Sequence, residues 1–342
     1  MAAPHRRTRL PLPGSVFVAL ALVGLMLAGC GGDKKEEAGP EPSPTPTPEV
    51  LHSPLTGEEV SRHPKHPVVV VKIDNTSAAA PQIGLSKADL VVEELVEGGI
   101  TRLAAMFDQT IPDNVGPVRS MRATDIGIVM PAKAVLVASG GAPQTISRVD
   151  KAGIQTITEG GPGFYREPSR SAPHNLFNHL EELAQELGQK TGSERPEELY
   201  LPFATEGEST LPVGKPATGV EARFSSGSMT RWEYEGTSYV GTNSHMAADD
   251  LFRPTTVLVL RVRIGDAGYP DGAGNPVPET HFTGKGKAMI LTGGKLVRAI
   301  WSKADYDAPL TLSNKDGDIT LPPGKVWIGL VPADSGSVTV TK

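Results

Sequence analysis

The chain has 342 residues, a formal net charge of −6 and one cysteine, Cys30. A lone thiol excludes an internal disulfide framework and a thiolate metal site, and an acidic balance gives no support for nucleic-acid binding. About 290 residues follow a leader and a low-complexity segment, a length that fits two domains better than one.

Residues 1–29 have the layout of a secretory signal. Arg6, Arg7 and Arg9 form a basic start with no acid before Cys30, and the chain from Ser15 to Leu27 is almost wholly apolar. That run is shorter than the ~20 residues a spanning helix needs. It ends in "LAGC", the pattern of a bacterial lipobox, in which the chain is cut before the cysteine and the thiol receives a diacylglyceryl group. Two acyl chains suffice for stable anchoring where one is marginal. The expected location is therefore the outer face of the cell membrane, with Cys30 as the anchor. Loss of the three leader arginines takes the net charge from −6 to −9. The pair Arg6–Arg7 leaves general secretion and twin-arginine export both open. Residues 30–50 read as a tether, because prolines at 40, 42, 44, 46 and 48 favour extended polyproline II at ~3.1 Å per residue.

From 51 to 203 the pattern predicts a mixed α/β domain. "PVVVVKIDN" is a continuous apolar run, as in a strand buried on both faces. "ADLVVEELVEGGITRLAAMF" reads as a hairpin turning at Gly98–Gly99. "ATDIGIVMPA" looks helical, "AVLVASGG" is a further buried strand, and "HNLFNHLEELAQELGQ" has Leu176, Phe177, Leu180, Leu183, Ala184 and Leu187 at amphipathic-helix spacing. Residues 204–219 read as a linker. From 220 to 342, short apolar or alternating runs separated by Gly-Gly, Asp-Gly and Pro-Gly signals predict an antiparallel all-β domain. "GKGK" at 284–287 and "KDGD" at 315–318 read as turns. The fold class expected is α+β.

Long motifs in order, "KIDNTSAAAPQIGLSKADLVVEELVEGGITRLAAMF", "VGPVRSMRATD", "ASGGAPQ", "RSAPHNLF", "GKGKAMILTGGKLVRAIWSK" and "DGDITLPPGKVWIGLVP", resemble the YerB-like bacterial lipoproteins. The resemblance covers nearly all of the chain after the tether. It implies an extracytoplasmic lipoprotein with a mixed N-terminal domain and a β-rich C-terminal one, and it brings no biochemical activity with it.

The sequence lacks a G-x-S-x-G elbow, the S-x-x-K of penicillin-binding enzymes and a zincin H-E-x-x-H. His174 and His179 are the nearest histidine pair at a predicted helix start, but they lack an obvious third donor; no metal and no cofactor are expected. What stands out is polar density at the ends of core elements: Asp74, Asn75, Arg102, Arg119, Arg122, Arg170, His174 and Asn175. Arginine forks suit carboxylate or phosphate groups, and residues on loops held by a rigid scaffold often carry function. Three readings stand: an internal ion-pair and capping network, a ligand site for an anionic envelope component, and a catalytic site with His174 as base oriented by Asp74. The expectation is a lipid-anchored protein that binds or scaffolds an envelope component, its partners being the membrane and an anionic envelope polymer or an envelope protein, without nucleic acid. An envelope hydrolase or transferase using His174 and Asp74 is the alternative. Cys30→Ala should release the protein into the medium or leave its leader uncut. Fractionation of cells is the measurement, and wild-type partitioning of the variant with membranes contradicts the anchor.

Overall fold

The computed structural model describes residues 50–190, 194–271 and 274–342. The leader, Cys30 and the proline-rich segment lie outside the described residues.

In chain order, short strands β1 (Leu51–His52) and β2 (Glu59–Val60) lead into β3 (Val69–Asp74), β4 (Leu90–Leu95), β5 (Thr101–Phe107), helix α1 (Asp125–Val129), β6 (Val135–Ala138), α2 (Pro143–Lys151), β7 (Thr156–Thr158), β8 (Phe164–Arg166), β9 (Leu176–Asn178) and α3 (Leu180–Lys190). The remainder is strand: β10 (Lys215–Pro216), β11 (Gly219–Arg223), β12 (Met229–Glu235), β13 (Ser238–Gly241), β14 (Thr256–Pro270), β15 (Pro276–His281), β16 (Gly284–Thr292), β17 (Lys295–Lys303), β18 (Thr311–Asn314), β19 (Gly317–Asp318), β20 (Val326–Pro332) and β21 (Ser337–Thr341).

The decisive feature is one sheet that crosses both halves of the chain, in the order β19-β18-β17-β16-β14-β20-β4-β5-β3-β6-β7. Strand β20 runs parallel to β14 on one side, with Ile328 opposite Leu258, and parallel to β4 on the other, with Ile328 opposite Val92. The C-terminal region is all strand among the described residues, as its alternating pattern requires. Its sheet is mixed, however, and not purely antiparallel. The reason is β20, which is too far along the chain from β14 to pair by a tight turn and inserts between β14 and β4.

Burial on both faces explains the continuous apolar runs. Val69 and Val71 face one core with Val91, Val257 and Trp327, whereas Val70 faces the other with Val92, Leu258 and Ile328. The first face is covered by α3, through Leu180, Leu183 and Leu187, and by the separate sheet β13-β12-β11-β21, through Tyr239, Trp232 and Val220. The second is covered by α1, through Ile126, Ile128 and Val129, and by Val149 of α2. The predicted hairpin is present: β4 and β5 pair antiparallel, and Gly98 and Gly99 both take positive φ (71° and 70°), which favours glycine in the turn.

Three local expectations change. Leu176 and Phe177 are not helical but lie in β9, which pairs antiparallel with β8; α3 begins only at Leu180. Burial of Leu176 and Phe177 gives the same apolar spacing in either conformation, and pairing to β8 decides between them. The "GKGK" run is no turn but the start of β16, held by β17 from Gly284 opposite Lys303 onward. Residues 204–219 are no free linker: Ala204 donates to Leu321, the Thr210 amide to Thr320 Oγ1, and β10 pairs with β17.

A buried charge cluster ties α1 to the sheet. Lys72 Nζ lies 2.6 Å from Glu94 Oε1 and 2.7 Å from Asp125 Oδ1, all three side chains fully buried. Burial alone would lower the Lys72 pKa, but Asp125 and Glu94 outweigh it and hold the ammonium above its ordinary value. Burial, aided by the charge of Glu94, raises Asp125 to about 6 in spite of Lys72. Removing the cation leaves two buried acids facing each other, so Lys72→Met should cost ~3–5 kcal/mol. The urea midpoint should fall with the slope unchanged, and a loss under about 1 kcal/mol contradicts this role for Lys72.

Candidate functional site

The end of β3 is the point on which the polar residues gather. Asp74 is 2% exposed, and both of its carboxylate oxygens are engaged. Oδ1 accepts from the Thr76 amide at 3.0 Å and the Thr76 hydroxyl at 2.9 Å. Oδ2 accepts from His174 Nδ1 at 2.7 Å and forms an ion pair with Arg119 Nε at 3.2 Å, which is not aligned as a hydrogen bond. Asp74, Arg119 and His174 therefore meet, although 100 residues separate the first from the last. Topology does this: β3 pairs with β5 on one side and β6 on the other, the Arg119 amide bonds Lys72 O, and the Val118 amide bonds Leu176 O, carrying the 171–175 loop over the strand end. His174 and Arg119 keep 24% and 22% of their side chains accessible.

The other candidates divide. Asn75 adjoins Asp74 but points to Glu93 Oε1, at 3.1 Å, and to the Thr101 hydroxyl, at 2.9 Å. Arg102 is 3% exposed, gives one arm to Ser120 O and another to Glu97 at 2.9 Å, and is pushed by burial to about 10. Arg122 also binds Glu97, through Nε at 2.8 Å and through Nη2. Burial would raise Glu97, but Arg122 and Arg102 outweigh it and lower its pKa. Arg102 and Arg122 are thus engaged internally and cannot hold a ligand without abandoning a part-buried carboxylate. Arg170 binds Ala79 O and Pro81 O and stacks over Phe177, which pins the loop after β3. Asn175 does not cap a helix; its side-chain oxygen accepts from Arg166.

Beside this cluster opens a cleft of about 480 Å³ between the loop after β3 and the β12–β13 region. Its floor is Asn75, Thr101, Thr230 and Trp327, and each of these residues bonds a carboxylate beneath them, Glu93. Thr101 Oγ1 donates to Glu93 Oε1 at 2.8 Å, and Thr230 Oγ1 lies 2.8 Å from both oxygens. Trp232 packs against Trp327 in a tilted arrangement, ring centroids 4.8 Å apart and planes at 57°, and its indole N–H has no partner among the described residues. His245 closes one wall; its carbonyl accepts from the Gln82 amide, and burial lowers its pKa, partly opposed by Asp74. Gln82 Nε2 in turn donates to Asp74 O and Asn75 Oδ1, so the Asp74 cluster and the cleft share one hydrogen-bond network. Ser77, Ser228 and Ser244 line the cleft with hydroxyls that have no partner among the described residues. Sequence reasoning missed Glu93, Thr230, Trp232 and His245. The only available signal was an acidic pair, Glu93–Glu94, inside an otherwise buried strand.

Among the described residues no three His, Cys, Asp or Glu side chains are placed to hold a metal ion, and no helix is long and apolar enough to cross a membrane. The model of the N-terminal domain of a protein family of unknown function, DUF3048, matches residues 55–193, and that of its C-terminal domain matches residues 220–328. The chain belongs to this two-domain, YerB-like family. It is 26% identical to "Putative lipoprotein YerB" of Bacillus subtilis (strain 168) over 333 residues, which cover 94% of this chain and 96% of that one. A crystal structure of YerB from Bacillus subtilis superposes with a TM-score of 0.69 at 21% identity, covering 84% of this chain and 99% of that one, and shows the same fold.

Burial of Glu93 raises its pKa to about 7 against the pull of four hydrogen bonds. The folded value lies above the unfolded one, so between about pH 4.5 and 7 the native state holds a proton that the unfolded state has lost. Stability from this group is present below that window and falls by about 3 kcal/mol as pH rises through it, at ~1.36 kcal/mol per unit. Asp89 and Asp125, both raised by burial to about 6, titrate in the same range. The difference between wild type and Glu93→Gln isolates Glu93: the variant should gain on wild type by about 3 kcal/mol from pH 4.5 to 7.5 in urea unfolding. A pH-independent difference contradicts a neutral Glu93 in the acidic range.

Proposed function

We propose that the protein is a lipid-anchored, extracytoplasmic binding protein whose cleft at Ser77, Ser228 and Ser244 takes an uncharged, hydroxyl-rich segment of a cell-envelope component. The observation that carries this reading is the division of labour within the cleft. Its floor hydroxyls and amide are locked on Glu93, whereas the three wall serines keep their hydrogen-bonding capacity. Neutral donors and acceptors over an aromatic and thioether backing, here Trp232, Trp327, Met229 and Met246, suit a polar ligand without formal charge. The "LAGC" motif and the lipoprotein name of the relative support the anchoring part.

The hydrolase or transferase alternative rests on the 2.7 Å contact of His174 with Asp74, the orientation that a general base requires. In this reading the pair is instead a structural hinge between the 171–175 loop and β3, since Arg119 and Thr76 complete the Asp74 carboxylate.

The test is affinity capture from membranes with and without enzymatic digestion of envelope polysaccharide. Wild-type protein should retain polysaccharide that Ser77→Ala/Ser244→Ala loses by at least ~tenfold, because each lost hydrogen bond to a ligand weakens binding by ~0.5–1.5 kcal/mol. The substituted hydroxyls support no fold contact, so thermal stability should stay unchanged. Equal retention by the double variant contradicts the cleft as the site.

A further inference from the structure

A second concavity lies away from this cleft, on the exposed face of the C-terminal strands. It is a groove of about 870 Å³ lined by Arg261 and Arg263 of β14, Lys285 and Lys287 of β16, Arg298 of β17 and Lys315 at the β18–β19 turn. Six cations on one surface of a chain with a net charge of −6 form a strong local excess.

The strand pattern builds the groove. "RVR" and "KGK" place cations at alternate residues, so both side chains of each pair leave the same face of the sheet, ~7 Å apart along the strand. Lys287 lies opposite Ile300, Lys285 opposite Ser302 and Arg298 opposite Met289, which continues the row across β17 at ~4.8 Å per strand. Gly286 lets the strands close up: a Cβ there would stand 2.4 Å from the Arg261 carbonyl oxygen and 2.6 Å from Trp301 Nε1. Arg261 is held rigidly, donating to Ala333 O and Gly336 O at 2.8 Å each.

The charges are not neutralised within the fold. Arg263, Lys285, Lys287 and Arg298 have no hydrogen-bond or ion-pair partner among the described residues. The opposing carboxylates are Asp316, 3.7 Å from Lys315 and 67% exposed, and Asp334, which acts on Arg261. Like charges kept this close reduce stability in isolation, and they give a counterion or an anionic partner a large electrostatic gain. Met289 and the 43%-exposed Ile300 supply aliphatic surface between the cations.

We propose that this groove binds a linear polyanion with phosphate charges at regular intervals, at a site separate from the serine-lined cleft. Concavity decides against a flat lipid headgroup layer, because a planar surface cannot reach cations set along the inside of a groove. A single flexible chain can follow the rows and bring its aliphatic linkers over Met289 and Ile300.

The probe is medium-chain inorganic polyphosphate, titrated against the full-length protein anchored in neutral phosphatidylcholine vesicles, with monomeric phosphate as the control. Binding should weaken steeply with salt, by ~0.7 in the log–log slope for each phosphate contact. Lys285→Gln/Lys287→Gln should weaken it by at least ~tenfold and reduce the slope by about 1.4. A matched variant elsewhere, Arg62→Gln/Lys151→Gln, should leave both unchanged. The groove lysines make no fold contacts, and an unchanged melting temperature of the double variant verifies this. Absence of polyphosphate binding at low salt, equal binding of monomeric phosphate on a per-phosphate basis, or equal losses in the two double variants would each overturn the proposal. So would displacement of polyphosphate when phosphatidylglycerol is added to the vesicles, which would assign the groove to lipid, or preference for single-stranded RNA over polyphosphate. The serine variant of the cleft should bind polyphosphate like wild type, which keeps the two sites distinguishable.

Discussion

The arrangement depends on where β20 goes. This late strand sits between β14 and β4, parallel to both, and every residue from Val326 to Leu330 is paired on each side. A strand in that slot must be apolar on both faces, and "VWIGLV" meets the requirement with all its positions buried. Ile328 joins Leu258 and Val92 in one core, while Trp327 joins Val257 and Val91 in the other. Without β20 the two halves of the chain would each expose an unpaired sheet edge, a liability that folded proteins suppress. Two regions that match separate family models therefore share one hydrogen-bonded sheet.

The same junction sets the chemistry available to the protein. Trp327 of β20 packs on Trp232, and together with Asn75, Thr101 and Thr230 it covers Glu93. The cleft thus takes its floor from the end of β3 and from β5, β12 and β20, elements drawn from both halves. Deeper charges, Lys72 with Glu94 and Asp125, are closed off entirely and serve the fold. The gradient from fully buried ion pairs, through Glu93 with its pKa raised to about 7, to uncommitted wall serines separates what holds the structure from what can meet a ligand.

Much of the architecture was legible in residues near one another. The run at 68–73, the hairpin around Gly98–Gly99 and the alternating C-terminal strands follow from periodicity and turn chemistry. Asp74, Arg119 and His174 belong to the eight polar residues at the ends of predicted core elements, and strand pairing decides which of the eight meet. Four things were not legible. Leu176 and Phe177 fit strand and helix equally until β8 is known to be their neighbour. "GKGK" has turn composition, and only its partner β17 makes it a strand. Residues 204–219 have linker composition and nevertheless pair with β17 and the Leu321 region. Glu93 gives no local sign of its burial or its raised pKa, since the residues that cover it come from as far away as Thr230. All four depend on long-range pairing, which composition does not encode.

Native-state hydrogen exchange across a urea series tests the shared sheet most directly. Amides of β3, β4, β5, β14 and β20 should converge on a single opening free energy and a single urea slope, because β20 cannot leave β14 without also leaving β4. If β14, β16 and β20 instead open together at a lower free energy while β3, β4 and β5 stay protected, the halves unfold independently and the account of a sheet closed by β20 is wrong.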